Sequence, residues 1–435
     1  MVNERMSVVA PTTNSGDIAW VIVATALVMI MTPALGFFYG GLVRRKNLVS
    51  TIVQCIAIFA VISVIWALWG YSLVFGNSFH GIIGFDPSLL ALGGLSIHSV
   101  TTSLAPTIPT LLYFAFQLKF AAITPALIIG ACAERIRFKS LLIFIILWST
   151  LIYVPIAHWV WNPSGWLKGL GAIDFAGGIV VHISAGVSAL AAALVVGRRK
   201  GCSTPWKEHM KAINAKESGA EKPTNIPYVL LGAALLWFGW FGFNGGSALQ
   251  ASDLAVSALV TTNLAAAGAA VSWMLMDWIT KGKPSAVGIA VGAVVGLVAI
   301  TPAAGYVSVG AALVIGLAAG VISNLVAGWR AGRSRVDDTL DVFACHGVGG
   351  IWGSIATGLF ASAAIQSGIN GLFFGNLHQF VAQLEAVAVV VPFAFFGSYG
   401  LLKLVNVFSP LRVSEEAENA GLDLSEHGEE AYQFD

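Results

Sequence analysis

Apolar runs long enough to cross a bilayer, about 20 residues each, recur along most of this sequence. Of its 435 residues, 57% are hydrophobic and 10% charged, whereas a soluble domain carries about 25% charged residues. The expectation is an all-α polytopic membrane protein. A net charge of +1 gives no reason to expect nucleic acid or another polyelectrolyte as partner. Cys55, Cys132, Cys202 and Cys345 fall in apolar runs or a basic loop without paired spacing, which argues against a disulfide framework and a CxxC metal site. The opening "MVNERMSVVAPTTNSGDIAW" lacks a basic stretch followed directly by an apolar one, so no cleavable signal peptide is expected.

Apolar runs between polar breaks predict about eleven helices, near 17–43, 49–75, 108–133, 140–160, 174–197, 227–249, 254–279, 284–302, 307–329, 338–361 and 379–407. The odd-numbered runs exit into basic residues. These are Arg44, Arg45 and Lys46; Arg135, Arg137 and Lys139; and Arg198, Arg199, Lys200, Lys207, Lys211, Lys216 and Lys222. Lys281 and Lys283, then Arg330, Arg333 and Arg335, complete the set. The even-numbered exits hold almost only Lys168. The positive-inside rule then places the N-terminus outside and the C-terminus in the cytoplasm.

An internal repeat runs through the chain. "TPALGFFYGGLV" in the first run echoes "WFGWFGFNGGSAL" in the sixth. Asp174 precedes His182 by eight residues in the fifth, and Asp338 precedes His346 by eight in the tenth. A period of five helices is odd, so the second copy crosses in the opposite sense. Inverted repeats of this kind belong to transport proteins, with the working site near the midplane between halves. The halves span about 17–197 and 227–361, with an extra helix at 379–407 and a polar, acidic tail at 408–435.

Eight helical residues rise about 12 Å. Counted from the outer side for Asp174 and from the inner side for Asp338, both histidines come within a few Å of the middle of a core about 30 Å thick. Asp174, Gly178, His182 and Gly186 share an i+4 stripe, and His346 shares a face with Gly349, Gly350 and Gly353. Small residues let helices approach closely, so these stripes are expected to face the bundle interior. A lone histidine on an apolar face is ordinarily a satisfied core residue, but ionisable groups at mid-membrane depth are usually functional. Desolvation favours the neutral ring, with one N–H donor and one bare nitrogen. Two such rings can guide a small neutral hydrogen-bonding molecule or relay a proton. No ring of carboxylates, HExxH or CxxC accompanies them, so neither a metal nor a cofactor is expected.

"YFAFQLKF" places Phe116 and Phe120 at i, i+4 near the outer end of the third run, and "AHWVWNPSGW" offers Trp159 and Trp161 after the fourth. Single rings there fit an interfacial aromatic belt; together they can line a vestibule that holds a small cation by cation–π attraction, about 0.5–2 kcal/mol. Here the residues carry a resemblance. "FAFQLKFAAITPALIIGACAERIRF", "PIAHWVWNPSGWL", "DFAGGIVVHISAG", "WFGWFGFNGGSAL", "DDTLDVFACHGVGGIWG" and the tail's "GLDLSEHGEEAY" resemble the signatures of the ammonium transporter family (Amt/Mep/Rh), its bacterial Amt branch above all.

The resemblance covers essentially the whole chain and implies a homotrimer, one pore per subunit, in the bacterial inner membrane. It implies an ammonium-recruitment site at Trp161, Phe120 and Ser247, with Asp174 nearby for structure and cation attraction. Phe116 and Phe120 would stand at the mouth, Phe120 and Phe243 would form a stacked gate, and His182 and His346 the twin-histidine pore. Gln117 beside the mouth would join proton or water handling. Tail residues Gly421, Leu422, Asp423, His427, Gly428 and Tyr432 match the segment through which relatives respond to a PII-type signal protein. The turn Asn162–Gly165, "NPSG", departs from the glycine-rich turn common in relatives, leaving the vestibule shape open.

The implied function is ammonium transport, with ammonia crossing the pore, a proton taking a coupled route and methylammonium a second substrate. Two alternatives keep the fold: an ammonium sensor and a passive ammonia gas channel. An intramembrane enzyme would need a catalytic constellation that the sequence lacks. Glu134, Asp277 and Asp337 are expected to pair with nearby basic residues, and Glu385 receives no transport role.

Overall fold

The structure, a computed structural model, describes residues 13–200, 223–334 and 336–432, without the side chains of residues 332 and 333. Cys202, Lys207, Lys211, Lys216, Lys222, Arg335, the Arg333 side chain, the first twelve residues and the last three therefore lie outside the described residues.

Lipid offers no hydrogen bonds to a backbone, so each apolar run closes its own as a helix. The helices are α1 (Ser15–Leu42), α2 (Arg45–Phe75), α3 (Thr110–Cys132), α4 (138–161), α5 (Gly178–Val196) and α6 (Ile226–Gly246). They continue with α7 (Asp253–Lys281), α8 (Ala286–Ile300), α9 (Val309–Arg333), α10 (343–360) and α11 (Leu377–Phe408). Among the described residues, nine helices are long and apolar enough to cross a membrane. Of the predicted runs, those now named α8 and α10 fall outside that set; α8 has only 15 residues, and α10 mixes His346 with glycines. A short antiparallel hairpin, Asn77–Phe79 with Ile83–Phe85, lies between α2 and α3.

The repeat-related helices α1 and α6 pack along one another. A Cβ on Gly242 would sit 2.8 Å from the Ala24 carbonyl and 2.6 Å from Leu27 Cβ, so the pair approaches this closely only because glycine stands there. Elsewhere the ends of α1, α3 and α5 meet. Glu134 accepts from Arg44 Nε at 2.7 Å and from Arg199 Nη1 at 3.3 Å, while Asp337 pairs with Arg199 Nε at 2.9 Å. Asp277 pairs with Lys281 at 2.7 Å. These carboxylates thus take the basic partners expected for helix ends, and the first three odd-numbered exits share one end of the bundle.

Two predicted helix starts move inward. Asp174 and Asp338 were expected as the first residues of their helices; α5 begins at Gly178 and α10 at Phe343. The physical reason is capping. Helix N-termini leave backbone donors unsatisfied, and each aspartate folds over to accept them. Both helices open with a π-helical stretch, Gly178–Ile183 and Phe343–Val348, each containing its histidine. The wider i→i+5 turn replaces the i+4 stripe expected from Asp174 to Gly186.

Candidate functional site

A cavity of about 240 Å³, the outer cavity of the expected orientation, opens among the starts of α3 and α5 and the ends of α4 and α6, lined in part by Phe116, Gln117, Phe120, Trp161, Asp174 and Ser247. Helical spacing puts Phe116 and Phe120 one turn apart, with ring centroids 5.0 Å apart. Trp161, the last residue of α4, meets Phe120 edge-on at 5.8 Å, and its indole N–H donates to the Asp174 carbonyl at 3.1 Å. Ser247, at the end of α6, donates to the Phe243 carbonyl at 2.8 Å; its oxygen keeps its acceptor capacity. Gln117 donates to the Tyr113 hydroxyl at 3.2 Å, and its buried carbonyl oxygen has no protein partner.

Asp174 lines this cavity, yet its carboxylate is spent on the backbone. It accepts from the N–H groups of Gly177, Gly178, Ile179 and Val180 at 2.7–3.0 Å. A carboxylate offers about four lone-pair sites, so none remains for direct contact with a cation. Gly177, with φ 114°, makes the turn that brings these donors over.

Beneath Phe120 lies Phe243, centroids 4.3 Å apart and planes tilted 39°. Phe120 lines the outer cavity and Phe243 an inner crevice, so the two rings separate the spaces. The crevice is about 10 Å³, bordered by His182 and His346 and otherwise by apolar and aromatic residues including Val181, Leu127, Leu236 and Trp240. It has room for about one water-sized body.

His182 and His346 face one another with Nδ1 atoms 3.3 Å apart and ring planes 28° apart. The backbones beneath them nearly touch, because Gly186 of α5 packs on Gly347 of α10; a Cβ on Gly186 would lie 2.5 Å from Gly347 Cα. A neutral pair sharing one Nδ1 proton has one ring with a bare Nε2 and the other with an Nε2–H. The pair therefore keeps one acceptor and one donor free, and His182 Nε2 is buried without a partner.

The family model described as Ammonium Transporter Family matches residues 19–432. The chain belongs to the ammonium transporter family. The protein known as ammonium transporter Amt1 of Archaeoglobus fulgidus is 46% identical over 419 residues, covering 96% of this chain and 100% of its own. The crystal structure of Saccharomyces cerevisiae Mep2 superposes with a TM-score of 0.82 at 35% identity, over 93% of this chain and 89% of that one. A solved structure named "Sensor Amt Protein" gives 0.84 at 31% identity, over 95% and 98%. Ammonium transport and a multi-pass membrane location follow for this transporter at that level of detail.

The tail of the transporter packs on the bundle end that holds Arg44 and Arg199. Leu422 N–H donates to Asn47 at 2.8 Å, and Asp423 accepts from Val49 and Ser50 N–H, capping α2. Burial pushes the Asp423 carboxyl up, against the pull of those N–H groups. His427 lies 3.2 Å from the Ser50 hydroxyl and edge-on to Phe138, and Tyr432 accepts from Asn225 at 2.8 Å. Gly421 and Gly428 take φ of 102° and 71°, conformations that favour glycine.

Three contributors escaped sequence reasoning. Trp240 stacks on His182 at 5.4 Å; its place three residues before Phe243 put it on the same helix face, a usable signal. Tyr306 lines the outer cavity from a loop between α8 and α9, where no pattern pointed to it. His158, a third buried histidine, lies 2.7 Å from the Val74 carbonyl and 2.8 Å from Ser78 Oγ. Beside it Asn162 donates to Val74 O at 2.9 Å and accepts from Ser164 N–H, which builds the Asn162–Gly165 turn.

Proposed function

We propose that the transporter recruits ammonium in the outer cavity, strips its proton there, and passes ammonia between Phe120 and Phe243 to the histidine pair while the proton takes a coupled route. The observation that carries this reading is the change of room across the phenyl pair, from about 240 Å³ with polar groups on its walls to about 10 Å³ of apolar crevice. A charged ion loses its hydration in so small an apolar space, at a cost of many kcal/mol; neutral ammonia does not carry that penalty. Trp161 and Phe120 hold the cation by their π faces, and the Ser247 oxygen accepts one of its N–H bonds. Asp174 contributes the field of its charge and the shape of the α5 N-terminus rather than a direct bond. Gln117, with its unsatisfied carbonyl, assists proton or water handling. The free donor and acceptor of the histidine pair then guide ammonia one molecule at a time.

The same reading has all eleven helices crossing, the N-terminus outside, and α8 and α10 inserted beside longer neighbours. The protein acts as a homotrimer in the bacterial inner membrane, and its tail is the regulatory surface read by a PII-type signal protein. A second reading, an ammonium sensor, is favoured by the likeness to the structure named "Sensor Amt Protein". Purified protein in liposomes separates the two. An ammonium pulse is expected to give a saturable flux that methylammonium shares and potassium does not. Ammonium binding without flux would replace transport by sensing, and an equal response to potassium would overturn the recruitment site.

A further inference from the structure

Arg135 is the largest charged side chain that the bundle buries completely, at 0% exposure. Burying an unpaired guanidinium is costly, yet Arg135 bonds no carboxylate directly. Glu134 and Asp337, its neighbours in sequence and space, spend their oxygens on Arg44 and Arg199. Instead its five N–H bonds go to five neutral oxygens. Nε donates to Gly197 O at 2.7 Å; Nη1 to Ala133 O at 3.0 Å and Thr339 Oγ1 at 2.6 Å; Nη2 to Ala131 O at 3.0 Å and Asp337 O at 2.6 Å.

Three of those oxygens close two helices, and the other two lie in the segment that leads into α10. Ala131 and Ala133 close α3, which carries Phe116 and Phe120; Gly197 closes α5, which carries His182. Asp337 and Thr339 flank Asp338, whose carboxylate caps α10 through Val342 and Phe343 N–H and so sets the turn that bears His346. Helix C-termini present unsatisfied carbonyls and partial negative charge, and a planar fork of five donors is the side chain that can satisfy several of them at once. The main chain follows the same path, with Leu340 N–H donating to Gly130 O at 3.1 Å.

We propose that Arg135 is a positioning residue for transport: by lashing the ends of α3 and α5 to the segment that leads into α10 it fixes the register in which His346 meets His182. Arg135 touches neither substrate nor histidine and acts through the Asp338 cap. The proposal rests on the pore reading of the histidine crevice.

The test is a double-mutant cycle on purified transporter in liposomes, reading maximal ammonium flux, KM and, by size-exclusion profile and melting temperature, folding. Arg135→Lys keeps the charge and loses the fork. Expected is a fall in maximal flux of about fivefold or more with KM held within about twofold, since the recruitment cavity lies at the other end of these helices. In a His346→Ala background the same substitution is expected to change flux by less than about twofold, because the pair it positions is gone. Thr339→Val, which removes one acceptor, is expected to shift flux in the same direction by less, and carries the test if the lysine variant does not fold. Unchanged flux in folded variants, or an equal loss with His346 absent, would overturn the role of Arg135. If His346→Ala alone leaves flux and selectivity untouched, it is the pore reading that fails.

Discussion

The outer cavity and the histidine crevice are a few residues apart along α6, from Ser247 to Trp240, yet they solve opposite problems. The cavity is wide and rimmed by π faces, a hydroxyl and a half-satisfied amide; the crevice is about one water in size and, apart from two imidazoles, apolar. On the proposed reading the first holds a charge that is giving up its water, and the second lets only a neutral molecule pass cheaply. Selectivity and conduction would then be divided between two places, with Phe120 and Phe243 as the partition.

Substitutions can break or sharpen that division. The largest effect is expected from Asp174→Ala, which takes the acceptor from four backbone donors serving both regions. A single orphaned buried donor costs about 1–3 kcal/mol, so the variant is expected to melt well below the parent and lose nearly all flux. Asp338 accepts from only two such donors, and Asp338→Ala should lower the melting temperature less. Equal losses would show that the two caps are not graded by their bonds. Next comes Trp161→Ala. Losing one cation–π wall of about 0.5–2 kcal/mol predicts a KM for ammonium roughly 2- to 30-fold higher, with maximal flux nearly unchanged. A fall in maximal flux at constant KM would mean that the cavity and the crevice are not separate in function. Ser247→Ala removes one acceptor for the cation that water in the open cavity can partly replace, and is expected to raise KM by about two- to tenfold.

The smallest effect belongs to neither region. Burial works to raise the Asp337 carboxyl, but Arg199's hydrogen bonds and charge and the charge of Arg135 win and hold it at about 2. A depressed carboxyl stabilises the fold above its ordinary value near 4 and loses that contribution as pH falls through about 2. Melting temperature is therefore expected to drop in that acid window, and less so in Arg199→Ala, with transport near neutral pH unaffected by the titration itself.

Much of this was legible in the sequence, for physical reasons. Lipid forces long apolar runs into helices, so the runs and their basic exits announced themselves. An odd-period repeat pairs His182 with His346, and the rings meet in the fold. Other features left no trace in a pattern. The aspartate caps displaced both helix starts because a side chain competing for backbone donors looks, in sequence, like one more helical residue. The π-helical opening of α5 broke the glycine stripe, since periodicity assumes 3.6 residues per turn. Tyr306 acts from a loop, where only folding brings it to the cavity.

The central claim is that ammonia, parted from its proton, crosses at the histidine pair. The direct measurement is the current after an ammonium pulse across liposomes holding the purified protein, compared with liposomes holding His182→Leu/His346→Leu protein of matched amount and fold. Expected are an ammonium-specific current in the parent and loss of its histidine-dependent, proton-linked part in the double variant. A proton-linked current unchanged by the double substitution would contradict it.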